Sequence, residues 1–183
     1  MSWYCDVAPG HPQHGPYHAL EYGFPLDGDA ALFERLSLEI FQAGLSWLIV
    51  LKKRPALAAA FRGFEPAVVA GFGDDDVARL LADPGIIRNR RKIAATIENA
   101  RRLVALSAAH GSFAAWLAAG HPRDKQAWLT LFRQTFVFMG GEVVGEFLMS
   151  IGYLPGAHRA DCPVQAQIAM LAPPWMRVAH SNN

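Results

Sequence analysis

Residues 38–53 read LEIFQAGLSWLIVLKK, and between Leu36 and Leu51 the single charged side chain is Glu39. A run this apolar has to be buried, so the fold is built around it. An unpartnered carboxylate in such a wall costs several kcal/mol or stays protonated. Glu39 therefore needs a partner, from within the fold or from a ligand.

The rest of the chain can supply the burial. With 183 residues, 52% hydrophobic and 18% charged, it is long and apolar enough for one domain or two closely packed lobes sharing a core. A net charge of +1 excludes a strongly basic shell, so any nucleic-acid contact must come from a local patch. The start MSWYCDVAPG has neither the basic opening nor the apolar core of a signal peptide, and Leu45–Leu51 is too short to span a bilayer. A cytoplasmic protein without membrane contact is expected. In a reducing compartment Cys5 and Cys162 stay unpaired, as core thiols or as metal ligands.

Local signals predict an all-α fold. Residues 1–28 are rich in Gly, Pro and His and read as an irregular arm. Asp29 is placed as the N-cap of a first strong helix, with Leu32, Leu36 and Glu39 at helical spacing. Gly44 ends it, and Ser46 caps a second helix running toward Lys52-Lys53-Arg54. Short helices are predicted after Pro55 and after Pro66, and another from Asp74-Asp75-Asp76 to the break at Asp83-Pro84-Gly85. A long helix over about 88–109 follows, then helices over 113–119, 125–138 and 141–151. The segment from Pro163 is expected to pack loosely.

Two clusters carry chemistry. The first is VARLLADPGIIRNRRKIAATIENARR, a helix, a tight turn with Gly85 and Ile86, and a helix opening with Arg88, Arg90, Arg91 and Lys92. Backbone N–H groups and cations at such a helix start can hold DNA phosphates without reading sequence. By spacing alone an ordinary αα-hairpin with a solvated basic face is the favoured reading, and Lys52-Lys53-Arg54 also reads as a solvated run. The second cluster joins the two cysteines to nearby histidines, Cys5 with His18 and His158 with Cys162. Two thiolates and two imidazoles make a closed tetrahedral zinc site that would staple the N-terminal arm to the C-terminal segment. Buried thiols beside surface histidines are the alternative.

Several motifs together resemble the 3-methyladenine DNA glycosylase I family. Glu39-x-x-Gln42-Ala43-Gly44-Leu45-Ser46-Trp47, an apolar run and Leu51-Lys52-Lys53-Arg54 match its signature helix. Tyr17-His18-x-x-Glu21-x-Gly23 is similar to its Y-H-x-x-E-W-G. Gly85-Ile86-Ile87-Arg88-Asn89-Arg90 with Lys92-Ile93 is similar to its helix–hairpin–helix.

The resemblance implies a helix–hairpin–helix glycosylase fold. Residues 1–162 form one catalytic unit, with zinc-bearing segments 1–28 and about 140–162 packed on a helical core 29–139, and 163–183 form a tail. It implies hydrolysis of the N-glycosidic bond of alkylated purines, chiefly 3-methyladenine, in double-stranded DNA after base flipping. Glu39 then binds the cationic base, with Tyr17, Trp47, Tyr22 and Glu142 around it. Leu45 is the wedge into the gap in the duplex. Gly85, Ile86, Arg88, Arg90, Arg91 and Lys92 contact DNA, and Cys5, His18, His158 and Cys162 bind a structural zinc. A monomer is expected.

The chain also departs from the family pattern. Val7 replaces a tryptophan after the first zinc cysteine, and Tyr22 the tryptophan of the E-W-G triplet. Glu142 stands where a hydroxyl is expected and Gly145 where a tyrosine is expected. The altered rim leaves open action on another alkyl adduct, or lesion binding without catalysis.

Overall fold

The computed structural model describes residues 4–177, which form helices and no strand. A short helix α1, Tyr4–Val7, and α2, His14–Leu20, make up the N-terminal arm. Helix α3, Asp29–Gln42, is the buried centre, with nine of its residues inside. The AGLS turn joins it to α4, Trp47–Ala60. Then come α5, Pro66–Ala70; α6, Asp74–Ala82; and the long α7, Arg90–His110. Helices α8, Phe113–Gly120; α9, Lys125–Thr135; and α10, Gly141–Ser150, complete the bundle, and α11, Pro163–Met170, follows. No single helix among the described residues is long and apolar enough to cross a membrane.

One core runs through α3 to α10, dominated by aromatic rings such as Phe33, Phe41, Phe61, Phe64, Phe113, Trp128, Phe132 and Phe147. Helix α3 packs against α4, α7, α8 and α10, so Glu39 sits where several helices converge. A small second cluster joins Cys5, Cys162, Val164 and Ile168, with Phe24 against it.

Four details differ from the sequence-based expectations. Asp29 is the first residue of α3, not its cap. Its carboxylate accepts from Ser107 Oγ at 2.7 Å and from Phe113 N at 2.8 Å, which fixes the corner between α7 and α8. Pro55 lies inside α4 and does not start a new helix. A proline inside a helix loses one backbone bond and crowds the preceding turn, and here the flanks are held by the Arg54 ion pairs and by buried Val50, Leu51 and Leu57. Helix α9 stops at Thr135, three residues earlier than expected. The segment after Pro163 is not loose: α11 buries Val164 and Ile168, and Trp175 N donates to Gly152 O at 3.1 Å. The last part of the expected tail, 178–183, lies outside the described residues.

Candidate active site

The base of the site is set by the arm. Glu21, one helical turn beyond Tyr17, accepts from Arg35 Nη2 at 2.9 Å and from Arg54 Nη1 at 2.8 Å. Arg54 also holds Glu34 at 2.9 Å. Arg35 is buried, donates to Ser150 O at 3.3 Å and lies 5.1 Å from the Tyr17 ring centre. These pairs clamp the arm onto α3 and α4 and hold Tyr17 over the pocket. Gly23 lets the arm pass closely: at φ +87°, a side chain there would meet Ala157 Cβ at 2.9 Å and Ile168 Cδ1 at 3.0 Å.

A cavity of about 410 Å³ opens between the arm, α3, the AGLS turn and α10, lined by Tyr4, Tyr17, Tyr22, Glu39, Trp47, Glu142 and Glu146 among others. Tyr17 packs on Trp47 with ring centres 5.1 Å apart and on Tyr22 at 5.7 Å. The cavity thus offers stacking faces suited to a flat heterocycle. Gly44, at φ +79°, lets the chain reverse at the cavity edge and present Leu45, 37% exposed.

Glu39 is 3% exposed and accepts no hydrogen bond from any described residue. Burial, reinforced by the neighbouring Glu146 charge and only partly offset by Arg35, pushes its carboxyl up to about 8. A polar atom of the wall, Tyr17 Oη, is also buried with no hydrogen-bond partner among the described residues. Tyr22 Oη donates to Glu146 Oε2 at 3.0 Å, and burial raises the Glu146 carboxyl as well. This site can accept a flat ligand that brings positive charge and hydrogen-bond donors.

The structure brings Tyr17, Tyr22, Glu39, Trp47 and Glu142 together as expected, and adds Tyr4 and Glu146. Glu146 was legible as the i+4 neighbour of Glu142 on one helix face. Arg35 was legible as the i−4 neighbour of Glu39. Nothing in the sequence near Tyr4 marks it as a pocket residue.

Arg88, Arg90 and Arg91 are exposed at the start of α7, where Asn89 caps the helix by accepting from Lys92 N at 3.1 Å. Lys92 and Ile86 are a correction to the expected DNA contacts, because both are buried. Lys92 is 5% exposed, and its Nζ donates to Phe41 O at 2.8 Å and Ala43 O at 2.5 Å, so it binds the carbonyl end of α3. Ile86 joins the main core. Gly85 is half-buried in the turn. From the other side, Lys53 Nζ donates to Pro84 O at 3.1 Å and Gly85 O at 3.0 Å. The Lys52-Lys53-Arg54 run is therefore not one solvated face. Lys52 is exposed, Lys53 holds the hairpin and Arg54 holds the arm.

The four expected metal ligands also meet. Cys5 Sγ, His18 Nε2, His158 Nδ1 and Cys162 Sγ are buried and lie within 4.8 Å of one another. The closest approaches are 3.6 Å for Cys5 to His158, 3.7 Å for Cys162 to His158 and 3.8 Å for Cys162 to His18. A tetrahedral ion with bonds of about 2.0–2.3 Å sets its ligand atoms roughly 3.3–3.8 Å apart, so the residues fit a metal. His158 Nε2 lies 2.6 Å from Tyr22 O, a bond that leaves Nδ1 free to coordinate.

The family model for methyladenine glycosylase matches residues 7–130. This chain belongs to the methyladenine glycosylase family. It is similar to DNA-3-methyladenine glycosylase 1 of Escherichia coli (strain K12), with 47% identity over 97 residues, 53% of this chain and 52% of that protein. This alignment spans about half that relative's length. The DNA-3-methyladenine glycosylase of Haemophilus influenzae is 32% identical over 166 residues, covering 80% of this chain and 89% of that one. Among solved structures, 3-methyladenine DNA glycosylase I from Staphylococcus aureus, studied for its recognition of 3-methyladenine, superposes with a TM-score of 0.78. It is 34% identical, covering 88% of this chain and 95% of that one. The family's all-helical fold is the one described above.

Proposed function

We propose that this protein is a DNA glycosylase that hydrolyses the N-glycosidic bond of alkylated purines, chiefly 3-methyladenine, in duplex DNA. The observation that carries the reading is Glu39, a buried carboxylate in an aromatic cavity with no hydrogen-bond partner among the described residues. A purine alkylated at N3 while bonded to the sugar is a cation. Entering the cavity, it pairs with the Glu39 charge that is costly without it. A neutral adenine brings no such compensation, which is the physical basis of selectivity.

The reaction needs little else from the chain. The cationic base is an activated leaving group. As the bond from C1′ to the base nitrogen breaks, its electron pair neutralises the base. Water adds its oxygen to C1′, and the released proton goes to solvent. Tyr17, Tyr22 and Trp47 hold the flipped base, and Leu45 fills the gap it leaves. Arg88, Arg90 and Arg91 neutralise backbone phosphates, while Lys53 and Lys92 fix the hairpin against the pocket. Cys5, His18, His158 and Cys162 hold a structural zinc, which supplies no chemistry to the reaction and joins the two terminal segments. The protein works as a monomer on DNA in the cytoplasm, with residues 1–162 as the catalytic unit.

The test is mass spectrometry of bases released from methylated duplex DNA by wild type and Glu39→Gln. Release of 3-methyladenine by wild type, falling at least about tenfold in the variant, supports the reading. Intact DNA binding with no base released would overturn it in favour of a lesion-binding protein.

A further inference from the structure

The cavity contains more acid than one cation needs. Glu39 comes from α3, while Glu142 and Glu146 lie one turn apart on α10 and line the same space. Glu142 is exposed at the rim and Glu146 lies deeper. Tyr22, itself a wall of the cavity, donates to Glu146 Oε2 at 3.0 Å and so fixes this carboxylate among the stacking faces. The buried, unpartnered Tyr17 hydroxyl in the same wall marks the space as built for a polar ligand. A cation on the same side as α10's acids is Lys125. Its side chain lies over Gly145, with Cε and Nζ 2.9 and 3.0 Å from where a Cβ would stand, and its charge acts on Glu146.

We infer that Glu146 is a second recognition carboxylate, which with Glu39 makes the pocket selective for permanently cationic bases. Lys125 tempers that selectivity from the rim. The inference rests on the glycosylase reading and adds a specificity-determining residue to it. The physical reason is electrostatic: each ionised carboxylate in a partly desolvated site attracts a cation and gives a neutral isostere nothing, and a bound cation also relieves the repulsion between the two acids. Lys125, beside Glu146, offsets part of that field.

The test compares two probes of nearly the same shape by titration calorimetry. One is 3,9-dimethyladeninium, whose charge is fixed as in the lesion. The other is neutral 9-methyladenine. The quantity read is the ratio of the two affinities. Glu146→Gln is expected to lower the cation-to-neutral ratio about tenfold with the neutral affinity unchanged. Lys125→Met is expected to raise the ratio. Glu142→Gln, at the exposed rim, should change it less than Glu146→Gln.

Opposite shifts from Glu146→Gln and Lys125→Met are not what local damage produces. Should Glu146→Gln fail to fold, Glu146→Ser removes the same charge and is read in its place. An unchanged ratio in the Glu146 variant, with a collapsed ratio in Glu39→Gln, would assign charge recognition to Glu39 alone and overturn this inference while leaving the glycosylase reading intact. A wild type that prefers neither probe and releases no base would remove both.

Discussion

Two buried polar sites lie where the N-terminal arm meets the helical bundle, and they are built on opposite principles. In the Cys5–His18–His158–Cys162 cluster the chemical groups face one another, and His158 is oriented by the Tyr22 carbonyl. In the cavity beside it Glu39 and Tyr17 Oη find no hydrogen-bond partner among the described residues. A self-complementary donor set belongs to architecture. A set left unsatisfied is stabilised only by something that enters, and this is how a site spends stability on function.

The comparison breaks most visibly at the terminal cluster. If the cluster holds the zinc proposed above, Cys162→Ser should release α11 and the arm, lowering both metal content and, by several kcal/mol, stability. Metal analysis alongside thermal unfolding checks this. Activity retained without metal and without loss of stability would remove the architectural role.

The cavity should answer in the reverse sense. The Glu39 carboxyl is held at about 8 against an ordinary 4.5, so the folded state binds more protons between those values. Stability is therefore lost as pH rises from about 4.5 to about 8, and the full cost is present above 8. Glu39→Gln removes it. The variant should match wild type near pH 5 and exceed it by a few kcal/mol at pH 9, while losing activity. Urea unfolding at the two pH values decides the point.

Lys92 sharpens the contrast from the hairpin side. Lys92→Met leaves Phe41 O and Ala43 O without their charged donor, and should cost about 2 kcal/mol in denaturant unfolding. Base release should fall more than affinity for the free base, since Ala43 leads into the turn carrying Leu45. The smallest effect is expected at the surface. Arg90→Ala or Arg91→Ala should each lower the slope of log affinity for duplex DNA against log salt by about one, with stability unchanged.

The sequence made the helical bundle legible because its signals are local. Asp74-Asp75-Asp76, Gly44 and the apolar spacing of α3 are read within a few residues of where they act. The terminal cluster was legible only through the family resemblance, since Cys5 and His18 lie thirteen residues apart and the His158–Cys162 spacing alone also suits buried thiols beside surface histidines. The cavity was legible only in part. Glu39 announced itself as a lone acid in an apolar run, but the partners that shape it come from far along the chain. Glu146 reaches the site from α10, and Arg35 is buried because Glu21 in the arm meets it. Lys53 and Lys92 misled for the same reason. A lysine in a basic run looks solvated until the carbonyls it binds, about thirty to fifty residues away, are in view. The helix after Pro163 was missed because its apolar face is short and packs on a neighbouring cluster, not on the main core.

The most direct measurement is a carboxyl-carbon NMR titration of Glu39, in the protein alone and with 3,9-dimethyladeninium bound. The account predicts titration near pH 8 in the protein alone. It predicts a carboxyl ionised throughout the neutral range once the cation is bound. A Glu39 that titrates in the ordinary carboxylate range, and does not respond to the cation, would contradict it.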